Sequence, residues 1–277
     1  MPLVPHYKPP GPVRYCPSCG NQLSTVHEIH ENICGDLKCR GPWLQRQIAK
    51  QKQKERDEQA ALVDGARRKL REQFPDVLKQ TESGDLRLIV VPGIDYDQAP
   101  QPPERIAAFR RTLEEHFAEA AQLAANPYHN GDLLSRYEPR DHDYDSRAVI
   151  NACSTCRGWC CRMGHLHAYL LPEFLAWRLV NEPELTAEEM IDDYIDRIPE
   201  ASQNDACLYQ TNAGCAMPRE KRSSTCNDFL CPGIREHRES IMPDPDQPTA
   251  VVSVDEGQFV RLGVMDAEGN RTEFRIA

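Results

Sequence analysis

The sequence predicts an α+β protein: a small N-terminal cysteine module, a long helical connector, a mostly helical cysteine-rich domain and a short C-terminal antiparallel β meander. Three observations carry this expectation. The twelve cysteines of the 277-residue chain fall into two groups, one within residues 16–39 and one within 153–231. Apolar residues recur at helical spacing between and around those groups. Three β-like runs separated by turn signals close the chain.

Composition narrows the classes. A chain of this length suits one to three small domains rather than one large core. No secretory apolar region opens the sequence and no run of about 18 apolar residues occurs, so a membrane span is not expected. The expected address is a reducing, bacterial cytoplasm, where twelve cysteines point to metal rather than disulfides. The net charge of −10 is uneven. Residues 1–72 carry 13 Lys and Arg against 8 Asp and Glu, and the remainder carries 20 against 35. An acidic body attracts phosphate poorly, so contact with nucleic acid would fall to the N-terminal piece. A solvated basic helix, or a helix that meets a protein partner, explains the same charge.

Residues 1–42 form the first expected domain. Cys16-Pro-Ser-Cys19-Gly20 has the spacing of a metal knuckle, in which two thiolates grip one ion and glycine permits the tight turn,. Cys34 and Cys39 follow after a 14-residue spacer, as Cys-x4-Cys. Four thiolates satisfy tetrahedral zinc. His27 and His30, between the pairs, are read as exposed loop residues, because the cysteines already complete the shell. The module looks like a zinc ribbon too short to fold without its metal.

Residues 43–80 read as a helical connector that starts after Pro42, at Trp43. Its Lys50–Gln59 half is polar on every face, and its second half carries Leu62, Ala66, Leu70 and Phe74 in one stripe ended by Pro75,. Residues 81–150 read as an α/β segment. Leu86–Val91 is a strand closed by Pro92-Gly93. Glu104–Ala125 is an amphipathic helix with Ile106, Phe109, Leu113, Phe117 and Ala120 on its apolar face and His116 beside it,. Asp141-His-Asp-Tyr-Asp145 is read as an acidic surface loop.

Residues 151–235 hold the eight other cysteines: Cys153, Cys156, Cys160, Cys161, Cys207, Cys215, Cys226 and Cys231. On a helix, positions 153, 156 and 160 would share a face and Cys161 would turn about 100° away. The set could make two four-cysteine sites, one four-cysteine site with structural cysteines beside it, or a binuclear thiolate site. His165 and His167 are further donors. Arg157, Arg162 and Arg222 would offset thiolate charge or lie solvated at the surface. Trp159, Tyr169, Trp177 and Tyr209 would keep the region dry. Helices are expected over Pro172–Val180 and Thr186–Ile198, the second opened by a Thr186/Glu189 capping box.

The order Cys153-x2-Cys156-x3-Cys160-Cys161, then Cys207, Cys215, Thr225-Cys226-Asn-Asp-Phe229 and Cys231, resembles the YkgJ-like CxxCxxCC cysteine-cluster family. The gap before Cys160 is one residue longer than the family name implies. Lys221-Arg222-Ser223-Ser224-Thr225 stands where the family has an Arg-Pro step. The resemblance covers about 80 residues and implies a zinc- or iron-chelating domain. The cysteine-rich part is also similar to flagellin lysine N-methylases, which implies an iron–sulfur cluster and S-adenosylmethionine, although no Gly-rich nucleotide loop is present.

Residues 236–277 are expected to form a β-hairpin or meander from runs 250–254, 259–264 and 272–276, with turns at Asp255-Glu-Gly257 and Ala267–Asn270,. The functional expectation is a metal-binding protein: zinc at the N-terminal site, zinc, iron or an iron–sulfur cluster in residues 153–231, and a protein partner met by the ribbon or the basic helix. The alternatives are an iron–sulfur or thiolate redox enzyme using Cys161, and a nucleic-acid-associated factor. No Ser/His/Asp order or P-loop assigns a catalytic residue or substrate.

Overall fold

The computed structural model describes residues 13–125, 146–241 and 243–277, which excludes the Asp141–Asp145 loop. The chain divides into two compact units, Met1–Ala60 and Ala61–Ala277. All described elements together make a mixed α+β protein.

In the first unit a lone bridge pairs Tyr15 with Gln22, and helix α1 spans Val26–Glu31. Thr25 caps α1 in a reciprocal box with Glu28,. His27 and His30 therefore lie on a helix rather than a loop. Helix α2, Leu37–Gln73, starts six residues before the expected Trp43 and contains Pro42. Asp36 explains the earlier start: its carboxylate accepts from the Lys38 N–H at 2.8 Å, and its carbonyl takes the Cys39 and Arg40 N–H groups,. Pro42 lies in the second turn, where the ladder bond forgone is the one to Lys38.

The second unit is built on a four-stranded sheet of order β1-β6-β7-β8. Its strands are β1 (Arg87–Pro92), β6 (Thr249–Asp255), β7 (Gln258–Met265) and β8 (Arg271–Arg275). The last three do pair consecutively and antiparallel, joined first by a two-residue turn in which Glu256 and Gly257 both take positive φ,. The expected C-terminal meander does not make up the sheet alone. β1 pairs in parallel with β6, which makes the sheet mixed and β6 central. Val90, Val252, Val254 and Leu262 turn to one face, against Ala66 and Leu70 of α2 and Leu78 of α3 (Pro75–Ser83). Ile89, Val91 and Val251 turn to the other face, as the two-residue period of a strand requires,.

That second face carries α5 (Arg147–Cys156) and α9 (Pro232–Ile241). A buried amide seats α5. Asn151 donates to the Thr249 hydroxyl at 2.9 Å and the Gly263 carbonyl at 3.0 Å, and accepts from Arg271 at 3.1 Å. Helix α4 (Pro103–Ala124) packs its Phe109, Leu113, Phe117 and Ala120 face, as its periodicity predicts, on α6 (Pro172–Asn181) and α7 (Ala187–Asp196). Short ribbons complete the unit: β2 (Gln98–Pro100) with β3 (Ala201–Gln203), and β4 (Gln210–Thr211) with β5 (Gly214–Cys215). The short helix α8, Ser224–Asp228, is capped by Ser223. No helix among the described residues is long and apolar enough to cross a membrane.

Candidate metal centres

All twelve cysteines are free thiols. In the first unit the sulfurs of Cys16, Cys19, Cys34 and Cys39 all lie within 4.8 Å of one another, and those of Cys19 and Cys34 are 3.6 Å apart. Four sulfurs at about 2.3 Å from a tetrahedral ion stand roughly 3.8 Å from each other. The group could therefore hold a metal such as zinc.

Local structure explains the convergence. The Cys16 N–H bonds the Asn21 carbonyl at 2.7 Å and the Gly20 N–H bonds Cys16 at 2.8 Å, closing a tight loop with Gly20 at φ +76°. Backbone N–H groups reach the sulfurs: those of Cys34, Ser18 and Cys19 reach Cys16, that of Asn21 reaches Cys19, and that of Asp36 reaches Cys34. The donated bonds, led by that from Cys34, hold Cys16 down at about 6,. The wider Cys-x4-Cys spacing has a cause as well. Asp36 caps α2, and Cys39 stands in the first turn of that helix,.

Glu28 fastens the same unit. Its carboxylate accepts from the N–H groups of Ser24 (3.0 Å), Thr25 (3.0 Å) and Gly35 (2.8 Å), which lowers it from 4.5 to about 2. A lowered acid contributes stability that is fully present above about 4.5 and fades as pH falls toward 2,. Thiolates release metal in the same direction, as protons compete for sulfur. Glu28→Gln should thus raise the pH at which zinc leaves the unit, followed with a chromophoric chelator during acid titration. An unchanged midpoint would mean that the Ser24–Gly35 tie does not support the centre.

In the second unit the cysteines approach through different elements. Cys153 and Cys156 lie one turn apart on α5, which ends there because Arg157 and Gly158 take φ of +58° and +97°. The shared helical face expected for 153, 156 and 160 is therefore broken at Arg157. Cys161, expected to turn away, keeps its sulfur 4.0 Å from that of Cys160. It also donates to Gln210 Oε1 at 3.4 Å. Gln210 pairs with Cys215 across the β4–β5 ribbon, and its N–H bonds the Cys207 carbonyl at 2.9 Å. Gly158 approaches Gln210 and Cys161 closely, with a hypothetical Cβ 2.8 Å from Gln210 Cγ and 3.3 Å from Cys161 Cβ. Cys226 donates to the Ala168 carbonyl at 3.7 Å, and Cys231 packs beside Cys156 in the α5–α9 core. These eight sulfurs do not form a group as tight as the N-terminal four.

Burial raises most of these thiols, while the bond with Cys161 lowers Cys160,. Burial pushes Cys156 and Cys226 to about 12 and Cys231 to about 11, with neighbouring thiols adding to the shift. Burial likewise raises Cys153, Cys207 and Cys215, whereas the bond with Cys160 is the largest cause of the rise at Cys161. Backbone N–H groups oppose this: Trp159 reaches Cys156 at 3.3 Å, and Tyr209, Met217 and Ile234 reach Cys207, Cys215 and Cys231.

The other residues singled out divide. Arg222 donates to the carbonyls of Met217 (2.7 Å) and Cys215 (3.3 Å), and its charge favours the thiolates of Cys153, Cys215 and Cys226. Arg157 pairs with Glu273, and Arg162 lies 5.7 Å from the Trp159 ring. His165 bonds the Arg162 carbonyl at 2.9 Å, His116 bonds that of Leu170 at 2.8 Å, and His167 accepts from the Tyr169 N–H at 2.9 Å. Trp177 and Tyr209 are buried among α4, α6 and α7, while the Tyr169 hydroxyl donates to the Cys160 carbonyl at 3.2 Å. Gln210 was not foreseeable: a lone glutamine carries no spacing signal. No protein-family model matches the chain, and neither does any curated protein or solved structure.

Proposed function

We propose that this protein binds two sets of metal: zinc in the N-terminal four-cysteine centre, and zinc or iron in a second centre supplied by the eight cysteines of residues 153–231. One observation carries the reading. In both groups a backbone N–H two residues beyond the cysteine reaches its sulfur: Ser18, Asn21 and Asp36 in the first, and Gly158, Tyr209, Met217 and Gly233 in the second. A neutral thiol is a weak acceptor, whereas a thiolate is stabilised by such donors and serves as a metal ligand. The order of the eight cysteines, which resembles the YkgJ-like family except for the longer gap before Cys160, is in line with the same conclusion. A resident cation would supply the positive charge that crowded, buried thiolates need.

The N-terminal unit is also read as a partner-binding element. Val26 and Leu37 are 87% and 83% exposed, and Leu44 and Ile48 continue an apolar stripe from Leu37 along α2. Such surface in a small unit suits a protein contact.

Elemental analysis with an absorption spectrum, on full-length protein purified without oxygen, tests the reading. It expects more than one metal equivalent per chain. Colourless zinc protein points to closed four-thiolate sites, and brown protein with iron and sulfide to a cluster. A single zinc removed entirely by Cys16→Ser would overturn the second centre.

A further inference from the structure

The eight cysteines of the second unit come from two different packing environments, and this deepens the reading above, on which it rests. Cys156 and Cys231 are walls of the core between the sheet, α5 and α9. Cys153 is one turn before Cys156 on the same helix. Cys161, Cys207 and Cys215 pack instead against the α4–α6–α7 core. All three adjoin one residue: the Gln210 side chain accepts from Cys161, its backbone pairs with Cys215 across the ribbon, and its N–H bonds the Cys207 carbonyl. Cys226 joins that side through Ala168, itself part of the same helical core. Cys160 is left between the groups, at the end of the Arg157–Gly158 turn that redirects the chain from one core to the other.

We propose that these residues form two neighbouring four-thiolate metal sites, one of Cys153, Cys156, Cys160 and Cys231 and the other of Cys161, Cys207, Cys215 and Cys226. The vicinal pair splits between them, so Cys160 and Cys161, with sulfurs 4.0 Å apart, set the spacing of the two centres. Four thiolates suit zinc or a single iron; each site would exchange thiol protons for one divalent ion, with no change of oxidation state.

Metal content of serine variants in the full chain tests the division. Cys153→Ser and Cys226→Ser are the informative pair, since the two residues come from different groups. Each single variant should lose one of the two equivalents held by the second unit, and the double variant both. A second pair from within one group, Cys153→Ser with Cys231→Ser, should lose no more together than either alone. One shared cluster would overturn the proposal: either single variant would then empty the whole unit. If a variant fails to fold, cobalt-loaded wild-type protein decides. Separate sites give the magnetic moment of independent high-spin ions, and thiolate-bridged ions give a reduced, coupled moment. A wild-type chain with only the N-terminal equivalent fails the functional reading itself, an outcome distinct from metal bound in one shared cluster.

Discussion

Withdrawing metal from the N-terminal centre, or replacing Cys16 with serine, should unfold residues 13 to about 44 and leave the transition of the second unit in place. The interior of the first unit consists of Cys16, Cys34, Cys39, Leu23 and Ile33, with Trp43 packed against them. Two fully buried aliphatic side chains contribute about 3–6 kcal/mol. Apolar burial this small cannot offset the chain entropy lost on folding, and a structural zinc contributes folding free energy of its own. Hydrogen exchange read segment by segment, beside zinc content, checks this. Protection lost only before Gln51 is the expected result. A metal-free unit that keeps its protection would show that the cysteines are core residues, and melting of the whole chain would show that the units are coupled.

Gly233→Ala should cost about 3 kcal/mol or more, the range in which backbone clashes place a substitution. A Cβ at this position would lie 2.0 Å from the Val90 carbonyl oxygen and 3.2 Å from Val91 Cα, both main-chain atoms of β1. A side chain could rotate away, but a paired strand in a close-packed sheet cannot. Helix α9 would have to lift from the sheet, carrying Cys231 with it and withdrawing the Gly233 and Ile234 N–H groups from that sulfur. Chemical denaturation should register the stability loss, with metal content of the second unit falling in parallel. Near wild-type stability would mean that α9 does not approach β1 this closely.

Parts of this architecture were readable in the residues and parts were not, for identifiable reasons. The α4 stripe of Phe109, Leu113 and Phe117 is buried as its periodicity predicts, because a continuous amphipathic helix carries its own instructions,. The knuckle at Cys16 and Cys19 was legible because spacing alone brings its sulfurs together. Pro42 is a poor guide to the start of α2, because the cap of Asp36 opens the helix ahead of it. Gly158 is the kind of residue that ends a helix, but Arg157, which carries no such mark, also takes positive φ, and this double left-handed step sets the geometry of Cys160 and Cys161,. The run Leu86–Val91 was recognisable as a strand, but its partner β6 lies far away in sequence, beyond the reach of any local pattern.

That distant pairing bears on how the molecule assembles. Arg87 meets Thr249 across roughly 160 intervening positions, a closure worth about 4–5 kcal/mol of chain entropy before any contact repays it. Every cysteine of the second set lies inside that span, between edge strand β1 and its neighbour β6. Ions that draw residues 153–231 together would shorten the effective tether, so β6 would reach β1 from a pre-gathered segment. The order of events during synthesis would then be set by cation supply: the hairpins β6–β7 and β7–β8 can zip locally at once, while the β1–β6 seam waits. Nascent chains made under metal starvation would accumulate with an unpaired β1 edge, the kind of exposed strand that recruits other chains.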